Sequence, residues 1–356
     1  ESFAISGTVL SRNFQPTMEL VEEILLEPRY DAEEFVLSLN RTRNALRDRA
    51  ANPTSIADDV FRRLLYGDHI LAANRIGNLE TIESITLEDL RSYHERALRP
   101  TLAAFHVTGL INRAEVMASL QGIARSWSGT APPLPNPPQP DPSMAGLYFV
   151  DVPRASQSVI RIGNLALAET DPDYYPATVM NFRFGGGGFA ADLTQVLREQ
   201  RGYTYGIRSR FRGTDQLGPF EISSSVRSNV TLEALNTIKQ IIETYGPEFD
   251  ARDLNATQSF LLRATAGAFE TGEAKLELLG AMSAYGFPAD YVIERQQIVR
   301  NFTTERIKEL AGRYFDPGGM VWLVVGDRET QLPRLRALGL GEPVLLDREG
   351  SPVARR

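Results

Sequence analysis

One block of this chain is written twice, and that repeat constrains the fold more than any other feature. ITLEDLRSYHERALRPTLAAFHVTGL (85–110) resembles FTTERIKELAGRYFDPGGMVWLVVGD (302–327) at a constant offset of 217 residues, which aligns Pro100 with Pro317, Val107 with Val324 and Gly109 with Gly326. The copies share a helix-start device as well. Thr86 and Thr303 stand where an N-cap belongs, and Ile85 with Leu90, like Phe302 with Ile307, has the spacing of a hydrophobic staple. A shorter pair, FAISGTVLSRN (3–13) and FEISSSVRSN (220–229), points the same way. Two copies of one α+β domain are expected, each a mostly antiparallel sheet covered by helices.

The proline-dense segment TAPPLPNPPQPDPS (130–143) disfavours helix and cannot sustain a ladder, so it reads as an extended linker. It divides a first domain, 1–129, from a second, 144–356. In the first, alternation predicts a strand at 3–11, helices at 15–27, 31–50 and 54–66, and a strand at 102–109. The second is predicted to hold strands near 146–151, 157–165, 203–212, 217–226 and 319–325. Its helices are expected near 173–182, 190–199, 230–245, 251–268 and 271–284, and the three helices after each 3–11-type strand are expected to cover one face of a sheet. Subtracting 217 from 145 gives −72, so the first copy lacks a counterpart to roughly 70 residues. Either the chain is cut there or the first copy is degenerate; a cut is the expectation, because residue 3 enters on what should be an interior strand.

Composition narrows the function. Hydrophobic residues make up 42% and charged residues 23%, ordinary values for a folded globular chain. No apolar run approaches the ~20 residues of a membrane span. A net charge of −7 and a pI near 5.3 weigh against nucleic acid or anionic membrane as the main partner. There is no cysteine, which removes disulfides and thiolate metal sites and leaves the compartment open.

Candidate chemistry is sparse. The three histidines, His69, His94 and His106, are never three or four residues apart, so no helical zinc pair exists among them. Paired acids such as Asp58–Asp59 and Glu22–Glu23 read as solvated helix faces. The run Gly185, Gly186, Gly187 and Gly188 lacks the Lys-Ser/Thr of a phosphate loop; it reads either as a helix connector or as a mobile loop whose bare backbone approaches a ligand. LREQRGYTYGIRSRF (197–211) is the most unusual stretch. Gly202 is a plausible helix stop, and alternation places Tyr203, Tyr205, Ile207 and Ser209 on one strand face.

FGGGGFAADLTQVLREQRGYTYGIRS (184–209) resembles the glycine-rich segment of the pitrilysin/insulinase family of zinc metallopeptidases. YDAEEF…NP…LLYGDHI…GNLETIESITLEDLRSYHERALRP (30–100) resembles a helical stretch of the same family. That resemblance implies tandem α+β domains forming one half of a clam-shell chamber. One half of such enzymes carries an HxxEH zinc helix and a distant Glu ligand. The other lacks metal and presents an Arg and a Tyr seven positions apart, a pattern matched here by Arg198 and Tyr205. HxxEH is absent from this chain. The Glu ligand would fall near Asn44–Ala45, and residues 40–47 contain no acid.

The implied role is therefore a non-catalytic half or subunit. It has no cofactor of its own, its zinc resides in an HxxEH-bearing partner, and its substrate is a peptide. By the resemblance, Tyr205 donates a hydrogen bond to the tetrahedral oxyanion or adjacent peptide and Arg198 fixes a substrate carbonyl. The glycines 185–188 and the neighbouring phenol Tyr203 are candidate peptide contacts. The rival expectation is a catalytically silent scaffold member of the same family.

Overall fold

The computed structural model describes residues 3–133, 137, 138, 140 and 144–353. Of the expected linker, residues 134–136, 139 and 141–143 therefore lie outside the described residues. In chain order the elements are α1 (Phe14–Leu26), α2 (Ala32–Ala51), α3 (Pro53–Tyr66), α4 (Leu79–Ser84), α5 (Leu87–Ala97), α6 (Arg113–Ser119) and α7 (Gln121–Ser126), then β1 (Gly146–Asp151), β2 (Gln157–Leu167), α8 (Tyr174–Asn181), α9 (Asp192–Thr194), β3 (Thr204–Phe211) and β4 (Gly218–Arg227). They continue as α10 (Thr231–Glu248), α11 (Ala251–Gly267), α12 (Gly272–Tyr285), α13 (Tyr291–Asn301), α14 (Thr304–Tyr314), β5 (Val321–Gly326), α15 (Arg328–Leu335) and β6 (Val344–Leu346). The fold is α+β.

Contacts divide the chain into two units that do not follow chain order. One gathers 1–44, 78–136 and 268–287; the other gathers 45–77, 137–267 and 288–356. The second unit holds all the described strands in one six-stranded sheet of order β3-β4-β2-β5-β1-β6. Strands β3, β4, β2 and β5 pair antiparallel, whereas β5, β1 and β6 pair parallel. Its larger core lies on one sheet face, where Phe149, Ile160, Ile162, Phe220, Trp322 and Val324 meet Leu235 and Ile238 of α10 and Ile307 and Leu310 of α14.

Helix α3 covers the other face. Asn52 caps it by accepting the Thr54 and Ser55 N–H groups, and Pro53 occupies its first turn, where a missing N–H costs nothing. Ile56, Ala57, Val60, Phe61, Leu64 and Leu65 form its buried stripe. They pack against Tyr148, Val150, Val159, Val321, Leu323 and Val325. Each large aliphatic or aromatic side chain among them contributes roughly 1.5–3 kcal/mol before chain entropy is charged against it. The expectation that helix 54–66 serves a sheet built from its own part of the chain is corrected by this packing. Strands β1, β2 and β5 offer the apolar face against which α3 packs. Helix α12, expected to cover the second sheet, groups instead with the other unit.

The repeat is visible in local structure. Helices α5 and α14 differ by 217 at both ends, and so do the short 3₁₀ turns Pro100–Leu102 and Pro317–Gly319. Thr86 accepts the Asp89 N–H, and Thr303 accepts the Arg306 N–H, as their cap positions require. The likeness ends at the strands. Residues 321–326 form the fully buried β5, but 102–109 have no ladder, nor have 3–10. Val107, expected in a strand equivalent to that of Val324, is unpaired. A helix closes its hydrogen bonds internally, but a strand requires neighbours. β5 is flanked by β1 and β2, whereas 104–109 pair with no strand among the described residues. The staples diverge for the same reason. Phe302 is 7% and Ile307 0% exposed, while Ile85 and Leu90 are 38% and 41% exposed.

Candidate functional site

The candidate residues lie between α8 and β3. Helix α8 runs into a π turn, Phe182–Gly186, so its register slips as the glycines begin. A Cβ on Gly185 would sit 2.2 Å from Ser209 Oγ and 2.8 Å from Leu193 Cδ1; one on Gly187 would sit 2.7 Å from the Phe182 carbonyl oxygen. These two glycines are needed by their packing. Gly188 is different: nothing lies within 4 Å of its would-be Cβ, and its φ of +61° is what favours glycine there. Gly186 and Gly188 are exposed.

Sequence reasoning missed the group that holds this run in place. Arg183, inside the π turn, pairs with Asp192 at 2.8 Å and with Asp253 at 3.2 Å and donates to the Ala190 carbonyl at 2.5 Å. One guanidinium thus ties the start of the glycine run to its end and to α11. Burial pushes the Asp192 carboxyl up to about 6. Arg183 opposes that shift, while Asp253 and Glu248 add to it. The available signal was a lone arginine in the apolar VMNFRF and a lone acid in GGFAADL.

Arg198 lies in a second π turn, Gln195–Gln200, which continues α9. Its guanidinium carbon sits 4.6 Å from the ring centre of Phe189, itself 62% exposed, and its Nε pairs with Glu199 at 3.3 Å. Its two terminal nitrogens have no partner among the described residues, which leaves the planar fork available. Gly202 ends the turn at a φ of +61°. The Gly202 N–H donates to the Arg198 carbonyl at 3.1 Å, and the Tyr203 N–H donates to the Leu197 carbonyl at 2.8 Å.

β3 does not alternate as expected. It pairs Thr204 with Val226 but Ile207 with Ser224, three steps against two, so a bulge occupies Tyr205–Gly206. Thr204 reinforces it by accepting the Gly206 N–H and donating to the Ser225 carbonyl. Thr204, Ile207, Ser209 and Phe211 are buried, and Tyr205 is 89% exposed. The expectation that Tyr203, Tyr205, Ile207 and Ser209 share one face is thereby corrected, because one extra residue reverses the pleat. Tyr203 packs against the larger core, with the Arg201 guanidinium 5.8 Å from its ring centre.

Two of the three histidines, His69 and His94, have structural partners. His69 Nδ1 accepts the Leu71 N–H, and His94 Nε2 bonds to the Leu25 carbonyl at 2.9 Å. Among the described residues no group of three His, Asp or Glu side chains could hold a metal. No described helix is long and apolar enough to cross a membrane. A family zinc site therefore does not fit this chain's own residues.

Fold and site together define an α+β domain with a half-exposed Arg198 and an outward Tyr205 at one sheet edge, and with no metal-binding group among the described residues. The family profile described as the peptidase M16 inactive domain matches residues 84–261, half of the chain, and the chain belongs to that family. It is 22% identical over 197 residues to an uncharacterized zinc protease of Streptomyces coelicolor, a match covering 54% of this chain and 43% of that protein. The chain thus spans less than half the length of the curated relatives it matches. A crystal structure of a peptidase M16 inactive domain from Pseudomonas fluorescens superposes with a TM-score of 0.83 at 25% identity, covering 90% of this chain and 76% of that one. The periplasmic protease PqqL of Escherichia coli shares the fold, with a TM-score of 0.71 at 15% identity over 93% of this chain and 39% of that one.

Proposed function

We propose that this chain is the non-catalytic half of a zinc-dependent endopeptidase, and that it supplies Arg198 and Tyr205 to a peptide held at the active site of an HxxEH-bearing partner. The observation that carries the reading is the bulge at Tyr205–Gly206. It exposes a large aromatic side chain to 89% between the buried Thr204 and Ile207 that bracket the bulge. Unsupported exposure of a phenol gains nothing for folding, whereas a neutral phenol is a suitable donor to a developing oxyanion. The unengaged fork of Arg198 suits a peptide carbonyl or carboxylate. Gly186 and Gly188 complete the proposed surface as exposed backbone beside the peptide, with Gly185 and Tyr203 packed behind it.

The test is reconstitution. A partner chain bearing HxxEH is assayed for peptide hydrolysis alone, with this chain, and with an Arg198→Ala, Tyr205→Phe version of it. Turnover that requires the wild-type chain and drops with the double variant supports the reading. Equal turnover in all three assays refutes it and favours a scaffold role.

A further inference from the structure

We infer that the hairpin β3–β4 selects peptides carrying acidic side chains, an inference that rests on the peptide-binding role proposed above. Residues 198–227 contain six arginines against three acids, Glu199, Asp215 and Glu221, in a chain whose net charge is −7. The charge is therefore concentrated, not a reflection of overall composition.

The ladder separates this surface from the core. Ile207, Phe211, Phe220, Ile222 and Val226 point into the larger core. Arg208 and Arg210 alternate with them and stand opposite Ser223 and Glu221 on the other face. The second core, under α3, includes residues of β1, β2, β5 and β6 but none of β3 or β4. The apolar stripe of α3 does not extend over the hairpin, which α3 meets through polar groups (Tyr66 donates to the Leu217 carbonyl at the turn), so the hairpin's outer face is polar, half-buried to exposed, and continuous with Tyr205 along a strand of roughly 25 Å.

The acids on or beside this face, Glu221 and Asp58, are already engaged. Glu221 pairs with the buried Arg161 at 3.4 Å and with Arg212 at 3.9 Å, and Asp58 pairs with Arg161 at 2.8 Å. Arg210 lies directly across from Glu221 and forms no ion pair with it, and its Nε is buried without a hydrogen-bond partner. Arg201, Arg208 and Arg227 are exposed and have no acidic partner among the described residues. These four cations, Arg208, Arg210 and Arg227 on the hairpin's outer face and Arg201 in the turn before β3, have no counter-charges among the described residues, and their mutual repulsion lowers the affinity for a basic ligand. An extended chain bearing Asp or Glu relieves that repulsion. A nucleic acid would meet the same arginines, but the chain's net negative charge opposes a polyanion at longer range.

Fluorescence anisotropy on the whole chain tests this with three labelled, unstructured peptides of roughly 15 residues. They share a Gly/Ser/Tyr background and carry several Glu, several Lys, or neither. One exposed ion pair is worth a factor of roughly 1.5–5, so two or three engaged arginines predict about tenfold tighter binding of the Glu peptide than of the neutral one. The Lys peptide should bind weakest. The preference should shrink toward unity at about 0.5 M salt, where exposed charges are screened. Arg208→Glu with Arg227→Glu should reverse the ranking, and the salt series on wild-type protein remains decisive if that variant does not fold. Equal binding of all three peptides, or a ranking insensitive to salt, overturns the charge selection while leaving the peptide-binding role intact. No binding of any peptide removes that role and this inference with it. A single-stranded oligonucleotide that binds as tightly as the Glu peptide and displaces it overturns the assignment in favour of nucleic acid.

Discussion

Arg161 of β2 donates to Asp58 of α3 at 2.9 Å and is only 6% exposed, so a buried cation joins the sheet to the helix that covers its second face. Glu221 stands 3.4 Å from the same guanidinium. The helix comes from a part of the chain about a hundred residues upstream of the strand, so the pair links distant segments as well as neutralising a buried charge.

Removing either acid leaves the other in place. Asp58→Ala should therefore cost only about 1–2 kcal/mol, and Asp58→Ala with Glu221→Ala should cost about 3–5 kcal/mol, the range for stranding a buried charge. The non-additivity is the signature, measurable by urea unfolding in a double-mutant cycle. Additive losses would mean that Arg161 is solvated after all.

Tyr205→Phe in a reconstituted, active complex should lower kcat by about 10²-fold, the low end for loss of an oxyanion donor, with no change in thermal stability, because the ring is already in solvent. Arg198→Ala should raise KM as well as lower kcat. Tyr203→Phe is the control, since that ring packs against the core. Equal losses at 203 and 205 would assign the effect to strand packing.

Burial raises the Asp192 carboxyl to about 6, above the ordinary range for an unfolded chain. The protonated form is thus favoured in the folded state. The associated stability is fully present below about pH 4 and is lost as pH rises through about 6, an effect of roughly 2–3 kcal/mol. Asp192→Asn should flatten that part of the stability–pH curve. A carboxyl titration by NMR with its midpoint near 4 would contradict the shift.

Gly185→Ala places a methyl against Ser209 and Leu193 and should cost about 1–3 kcal/mol by overpacking. Gly188 has room but a left-handed φ, so Gly188→Ala should cost about 1 kcal/mol through the backbone alone. Chemical denaturation of both variants separates the two causes. Equal tolerance of both would mean that the run is free of its surroundings.

Much of this molecule is local and was legible without tertiary information. The caps at Thr86 and Thr303, the turns after Pro100 and Pro317, the helices α5 and α14, and the stop at Gly202 depend on residues within one or two turns of each other. The resemblance of 184–209 located the Arg198–Tyr205 spacing. Ladders and burial could not be read that way. The same block is a buried strand at 321–326 and unpaired at 104–109, because strand formation belongs to the neighbours rather than to the segment. Helix α3 was correctly expected as a helix, yet which sheet it covers was settled by matching apolar faces across a hundred residues. The outward turn of Tyr205 came from a one-residue bulge whose cause, the Thr204 side chain bonded to the next strand, lies in the pairing with β4. Pieces whose hydrogen bonds close within themselves were determined by the sequence alone. Tertiary structure decided those whose partners come from elsewhere in the chain.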